Sequence, residues 1–200
     1  DLIYKNILSI YSENAGNVSA FRQGNENNKT IIFEPVSGGC GASSAAASCA
    51  IRFAKKGKKT LYLNLEKFGS ADCFFTAQGQ FDMSDIVFAL KSKKTNLSIK
   101  LESCVRQAEN GVYFFAQPKI ALDMLELNLE NIDRLITDLQ VMASYDYIII
   151  DCDFSIDKEA LAVLKKADAV VWVSDGSEIS NTKLFRAYNA LVTMEQSMED

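Results

Sequence analysis

Three observations predict a three-layer α/β fold, a mostly parallel sheet with helices on both faces. Short apolar runs (TIIFEPV, TLYLNL, GVYFFA, YIIID and AVVWV) alternate along the chain with stretches of helical periodicity. The runs are continuously apolar, as expected of strands buried on both faces rather than on one. The polar residues best suited to chemistry fall just past the carboxyl ends of these runs, where such sheets bind their ligands.

The elements follow in order. Asp1–Asn14 carries Leu2, Ile3, Ile7, Leu8, Ile10 and Tyr11 at helical spacing and predicts an amphipathic helix, followed by a polar linker to Lys29. A first strand covers Thr30–Val36, and a glycine-rich turn, Ser37–Gly41, leads into an Ala/Ser-rich helix over Ala42–Lys56 that ends at Gly57. Thr60–Leu65 is a second strand, and Asp82 or Ser84 caps a helix running to about Leu90, with a polar turn over Lys91–Asn96. Leu97–Gln107 is ambiguous and leans towards helix. Gly111–Ala116 is a third strand stopped near Pro118, and Leu122–Leu127 a short helix. Leu129–Ala143 is a helix with Ile132, Leu135, Ile136 and Leu139 on one face. Tyr147–Asp151 is the most apolar strand; a helix over Asp157–Lys166, a strand over Ala169–Val173 and a helix over Ser180–Met194 complete the chain.

Composition narrows the function classes. Two hundred residues at 48% hydrophobic and 24% charged suit one globular domain with a substantial core. A net charge of −5 and a pI near 4.9 give no support for a nucleic-acid partner. The dense basic cluster, Lys55, Lys56, Lys58 and Lys59, reads as a helix C-terminus facing its own dipole. Five cysteines without a CxxC pair, and no histidine, argue against a disulfide framework and a zinc site, and point to a reducing cytoplasm. No apolar run reaches the roughly 20 residues a membrane helix needs, and no signal peptide is visible.

The stretch Thr30–Ser44 holds the strongest chemical signal. A strand, then Gly38, Gly39, Cys40 and Gly41, then a helix opening with Ala42, Ser43 and Ser44, is how a phosphate-binding loop is built, so the fold is expected to be P-loop NTPase-like. Glycines allow positive φ and converging N–H groups, and the helix adds its positive end. Amides from Gly39 to Ser44 would surround a β-phosphate, with the Ser43 hydroxyl on Mg²⁺ and Ser44 reaching the α-phosphate. The bland alternative is a tight strand-to-helix connection. Asp151 closes the most apolar strand, where a carboxylate is costly without a cation or donors; it would hold the Mg²⁺ shell, or else cap the next loop. Asp153 shares that setting or faces solvent. Glu66 would orient a water towards a γ-phosphate and Asn64 would bond within the same loop, although both types are common after strands. Asp175 and Ser177 read as an ordinary loop rather than a base or ribose contact.

Together SGGCGASS, LNLE and YDYIIID resemble the deviant Walker A loop, switch I segment and Walker B strand of the ParA/MinD superfamily, over Thr30 to the end. The match is closest to the CpaE/TadZ branch, whose loops also place alanine at the position of Ala42. The resemblance implies ATP and Mg²⁺ as ligands, a homodimer closing face to face over nucleotide, partners in a Tad (type IV-like) pilus machine, and placement at a cell pole. It makes residues 1–29 the helix and linker of an upstream receiver-like domain, and residues 30–200 an atypical ATPase domain that stops before the strand whose loop helps hold adenine. Family members that hydrolyse ATP well carry lysines where Ser37 and Ala42 stand. Each such contact is worth roughly 2–4 kcal/mol in the transition state, so binding with weak or no turnover is expected. A nucleotide-free scaffold and a partitioning-type ATPase are the competing readings. Membrane attachment through the terminal segment Ser180–Asp200 is not expected, since it is not markedly basic.

Overall fold

The structure is a computed structural model describing Lys5, residues 28–92 and residues 96–199. The helix expected over Asp1–Asn14 and its linker to Lys29 therefore lie almost wholly outside the described residues. Among the described residues six strands form one sheet: β1 (Lys29–Pro35), β2 (Thr60–Asn64), β3 (Arg106–Gln107), β4 (Tyr113–Phe114), β5 (Tyr147–Asp151) and β6 (Ala169–Val173). Their spatial order is β3-β4-β2-β5-β1-β6, with every pairing parallel except β3 to β4. The helices are α1 (Ala42–Lys55), α2 (Met83–Ser92), α3 (Leu97–Cys104), α4 (Leu129–Met142), α5 (Lys158–Leu164) and α6 (Glu178–Glu199). Two short 3₁₀ turns, Ala71–Cys73 and Ala121–Glu126, lie between them.

Side-chain alternation in the central strands divides the core into two layers. Ile32, Leu61, Leu63, Ile148 and Ile150 face one side and pack with Ile86 and Leu90 of α2, Leu101 of α3, and Leu135, Ile136 and Leu139 of α4. Phe33, Tyr62 and Ile149 face the other side, against Ala46, Ala47 and Ala50 of α1 and the aromatic side chain of Phe75. The small residues of α1 bring its axis close to the sheet, and the Phe53 ring stacks on Tyr147 at 3.9 Å between centroids. Gly57, at φ 78°, ends that helix, and the neighbouring lysines lie at its C-terminus as expected.

The structure shortens or retypes several expected elements. Gly111–Ala116 pairs only through Tyr113 and Phe114, and Leu122–Leu127 is a 3₁₀ turn over Ala121–Glu126. Arg106–Gln107 adds a short antiparallel strand at the sheet edge. Its Arg106 guanidinium ties down the preceding loop by donating to the carbonyls of Ala77 and Phe81 at 3.1 and 2.7 Å. Asp82 does cap α2: its Oδ1 accepts from Ser84 N at 2.8 Å, while Asp85 reaches back to Asp82 N at 3.0 Å.

Close approach of α1 to the sheet sets the height of the loop that precedes it. Ala50 is fully buried, so Ala50→Leu should cost about 1–3 kcal/mol by overpacking. Urea denaturation would check this, and an unchanged midpoint would show that α1 tolerates a wider spacing.

Candidate functional site

Register explains how the expected site assembles. Asn64 and Asp151 are paired positions of the adjacent strands β2 and β5, and Phe33 of β1 is level with Asp151. Counting by twos from Tyr62 and Ile149 puts Asn64 and Asp151 on the α1 side of the sheet, the side from which Ser43 approaches.

At the loop, Gly39 and Gly41 take φ of 76° and 91°, a region that side chains rarely enter. A Cβ at Gly38, Gly39 or Gly41 would meet nothing within 4 Å, so the concavity above the loop is open. No side chain caps the α1 N-terminus and no acid lies in its first turn. The thiol of Cys40 donates to Val173 O at 3.1 Å and fastens the loop to the end of β6. Ser37, where the resemblance leads one to look for a lysine, meets the Ser180 hydroxyl at the start of α6. Ala42 is buried and offers no charge.

A polar network spans the strand ends beside this loop. Asp151 is fully buried. Its Oδ2 accepts from the Tyr62 hydroxyl at 2.6 Å and from Asn64 Nδ2 at 3.1 Å. Its Oδ1 is buried without a hydrogen-bond partner among the described residues. Burial pushes the carboxyl up to about 6; the Tyr62 bond opposes the rise, negative Glu66 adds to it, and the nearby Ser43 hydroxyl opposes it. Glu66 Oε2 accepts from Asn64 Nδ2 at 2.9 Å, and Glu66 Oε1 receives the Ser43 hydroxyl at 3.4 Å. The backbone N–H of Glu66 returns to Asn64 Oδ1 at 3.1 Å. Asp153 is exposed, and its Oδ2 accepts from Lys67 N at 3.0 Å, linking the segments that follow β2 and β5.

Sequence reasoning gathered Ser43, Asn64, Glu66 and Asp151, and the fold brings all four together. Asp175 and Ser177 stay apart from them, as an ordinary loop would. Asp175 accepts from Ser177 N at 3.0 Å, and bonds from Ser180 and Ser177 hold its carboxyl low, at about 2. Three residues were missed. Tyr62 was legible only by its parity with Asn64. Gly69 is required because a Cβ there would fall 2.2 Å from Asn64 Oδ1 and 2.7 Å from Gln117 Nε2. Gln117 itself, beyond β4, brings a buried amide nitrogen that has no partner among the described residues.

Among the described residues, no three His, Cys, Asp or Glu side chains could hold a metal ion by themselves. One hydroxyl, one bare carboxylate oxygen and an open glycine loop at an uncapped helix N-terminus instead suit a hard cation that arrives with phosphate oxygens as its other ligands. The donor set fits Mg²⁺ in that form.

The model of the family described as an AAA domain matches residues 28–199. The chain belongs to this family. Its fold is that of the ParA/MinD ATPases. A ParA family ATPase from Chlorobium tepidum superposes with a TM-score of 0.66 at 23% identity, over 80% of this chain and 65% of that one. MinD of the Aquifex aeolicus MinC:MinD complex gives 0.62 at 18%, over 84% and 64%. Pyrococcus horikoshii MinD, solved with Mg-ADP, gives 0.55 at 16%, over 82% and 66%. This AAA domain thus spans just under two thirds of the length of these relatives. No curated protein matches its sequence.

Strain at Asp151 gives a signed prediction. An unfolded Asp ionises near 3.9, so folding is favoured below that pH and loses stability as the pH rises towards about 6. Asp151→Asn should therefore stabilise the ligand-free protein by about 1–3 kcal/mol at pH 7.5 and by little at pH 4. Denaturant melts at the two pH values test this, and equal effects at both would show that the carboxylate is already compensated.

Proposed function

We propose that this AAA domain binds ATP with Mg²⁺ and uses it as a switch between monomer and face-to-face homodimer, with weak or no hydrolysis. The observation that carries the reading is the bare Oδ1 of buried Asp151 beside a glycine loop without ammonium groups. A divalent cation arriving with the phosphates would satisfy that oxygen through a bound water and would supply the charge that Ala42 cannot. Ser43 would turn from Glu66 to the metal. Amides from Gly38 to Ser44 would line the phosphates. Glu66 and Asn64 would hold the attacking water, but Ser37 and Ala42 bring no charge to the transferring group, so slow turnover is expected.

The residues resembling the CpaE/TadZ branch support a role as a localisation or assembly factor of a Tad-type pilus, acting in the cytoplasm at a cell pole through contacts with the pilus machinery. Among the described residues no helix is long and apolar enough to cross a membrane. The superposed MinD, named for its complex with MinC, supports protein partners for this fold. A nucleotide-free scaffold is the competing reading, favoured by the Ser43–Glu66 bond that already engages the metal-facing hydroxyl.

Calorimetry with ATP separates the two. The switch reading expects saturable binding that needs Mg²⁺, weakens about tenfold or more in Ser43→Ala, and raises the melting temperature. Absence of saturable binding with millimolar Mg-ATP would establish the scaffold.

A further inference from the structure

The alternation that places Asp151 on the α1 side places Glu34 and Cys152 on the other. Glu34 follows Ile32, and Cys152 follows Ile150, both part of the opposite core layer. There the two side chains line a cavity of about 380 Å³ that lies behind the segments carrying Glu66 and Asp151. This volume lies within the range of small-molecule pockets. Leu65, Leu127, Ile132 and Val163 form its apolar walls.

Glu34 is 1% exposed, and an ionisable group in such a wall is costly unless something compensates it. Its Oε2 accepts from the indole N–H of Trp172 at 2.7 Å. Its Oε1 meets the Cys152 thiol at the 4.0 Å limit of a sulfur hydrogen bond. Burial pushes the carboxyl up to about 7, with the Trp172 bond opposing the rise. Near neutral pH a modest gain therefore suffices to ionise it. At the rim, exposed Asp153 and Asp157 are already engaged, one with Lys67 N and the other with Ala160 N. Among the described lining residues Lys67 is the single basic side chain, against three carboxyls. The nucleotide site has no share in this cavity, since Ser43, Asn64 and Asp151 project from the other face.

We propose that this cavity is a binding site for a small organic cation, an ammonium or amidinium on an apolar body, whose charged end pairs with Glu34. The apolar body would fill the space between α4 and α5, and the charge would give Glu34 Oε1 a stronger donor than the Cys152 thiol. Such a ligand would sit directly beneath Leu65 and Cys152, the neighbours of Glu66 and Asp151. The inference does not depend on nucleotide binding.

The test is a titration of ¹⁵N-labelled protein with three probes of similar shape: phenethylammonium, neutral phenethyl alcohol and anionic 3-phenylpropionate. The expected result is saturable shifts of the Leu65, Lys67, Cys152 and Val163 amides, with the cation binding about tenfold or more tightly than the alcohol and the anion weakest. Glu34→Gln, which keeps an acceptor for Trp172, should erase the preference for the cation. Ala160→Phe, which fills the cavity and leaves Glu34 in place, should remove binding of all three. Shifts that fail to saturate, equal binding of the three probes, or an unchanged preference in Glu34→Gln would overturn the proposal.

Discussion

A half-satisfied carboxylate governs the active end of this molecule. Asp151 lies at the end of the central strand, with two donors on one oxygen and none on the other. Inside a sheet this arrangement costs stability, because the low dielectric that strengthens the Tyr62 bond also penalises the bare oxygen. The neighbouring groups relieve it only in part. Glu66 is itself negative, and the Ser43 hydroxyl is directed to Glu66. The bare oxygen leaves room for a further donor, such as the water of a hydrated cation, beside an open glycine loop.

Positioning follows from packing. The alanines of α1 allow the helix to settle closely on Phe33, Tyr62 and Ile149, so its uncapped N-terminus comes level with the ends of β2 and β5. Gly39 and Gly41 supply the left-handed turns this approach requires, and Cys40 secures the loop to β6. Ser37, turned to Ser180, ties the loop to the start of α6. The same alternation creates two chemically different faces, one polar and phosphate-shaped, the other apolar around Glu34.

The order of strands and helices was legible because buried parallel strands announce themselves as apolar runs such as YIIID, and because Gly57 and Asp82 punctuate the helices. The edge was not. Arg106 and Gln107 carry no apolar signal, and their strand exists only through pairing with β4. GVYFFA looked longer as a strand than it is, since apolar residues beyond Tyr113 and Phe114 pack without joining the ladder. In the site, the glycine loop, Ser43 and Asp151 stood out through local pattern. Tyr62, Gly69 and Gln117 did not, because their roles arise from register between strands distant in sequence. Glu34 passed unnoticed within an apolar strand for the same reason.

The proposed switch requires backbone amides and a divalent ion to grip a polyphosphate without neighbouring ammonium groups. Its most direct test is a crystal structure grown with Mg²⁺ and a non-hydrolysable ATP analogue. The expected density shows the triphosphate over Gly38–Ser44, the metal on Ser43 Oγ, and a metal-bound water donating to Asp151 Oδ1. A loop empty at saturating analogue, or one whose carbonyls turn inward, would contradict the proposed switch.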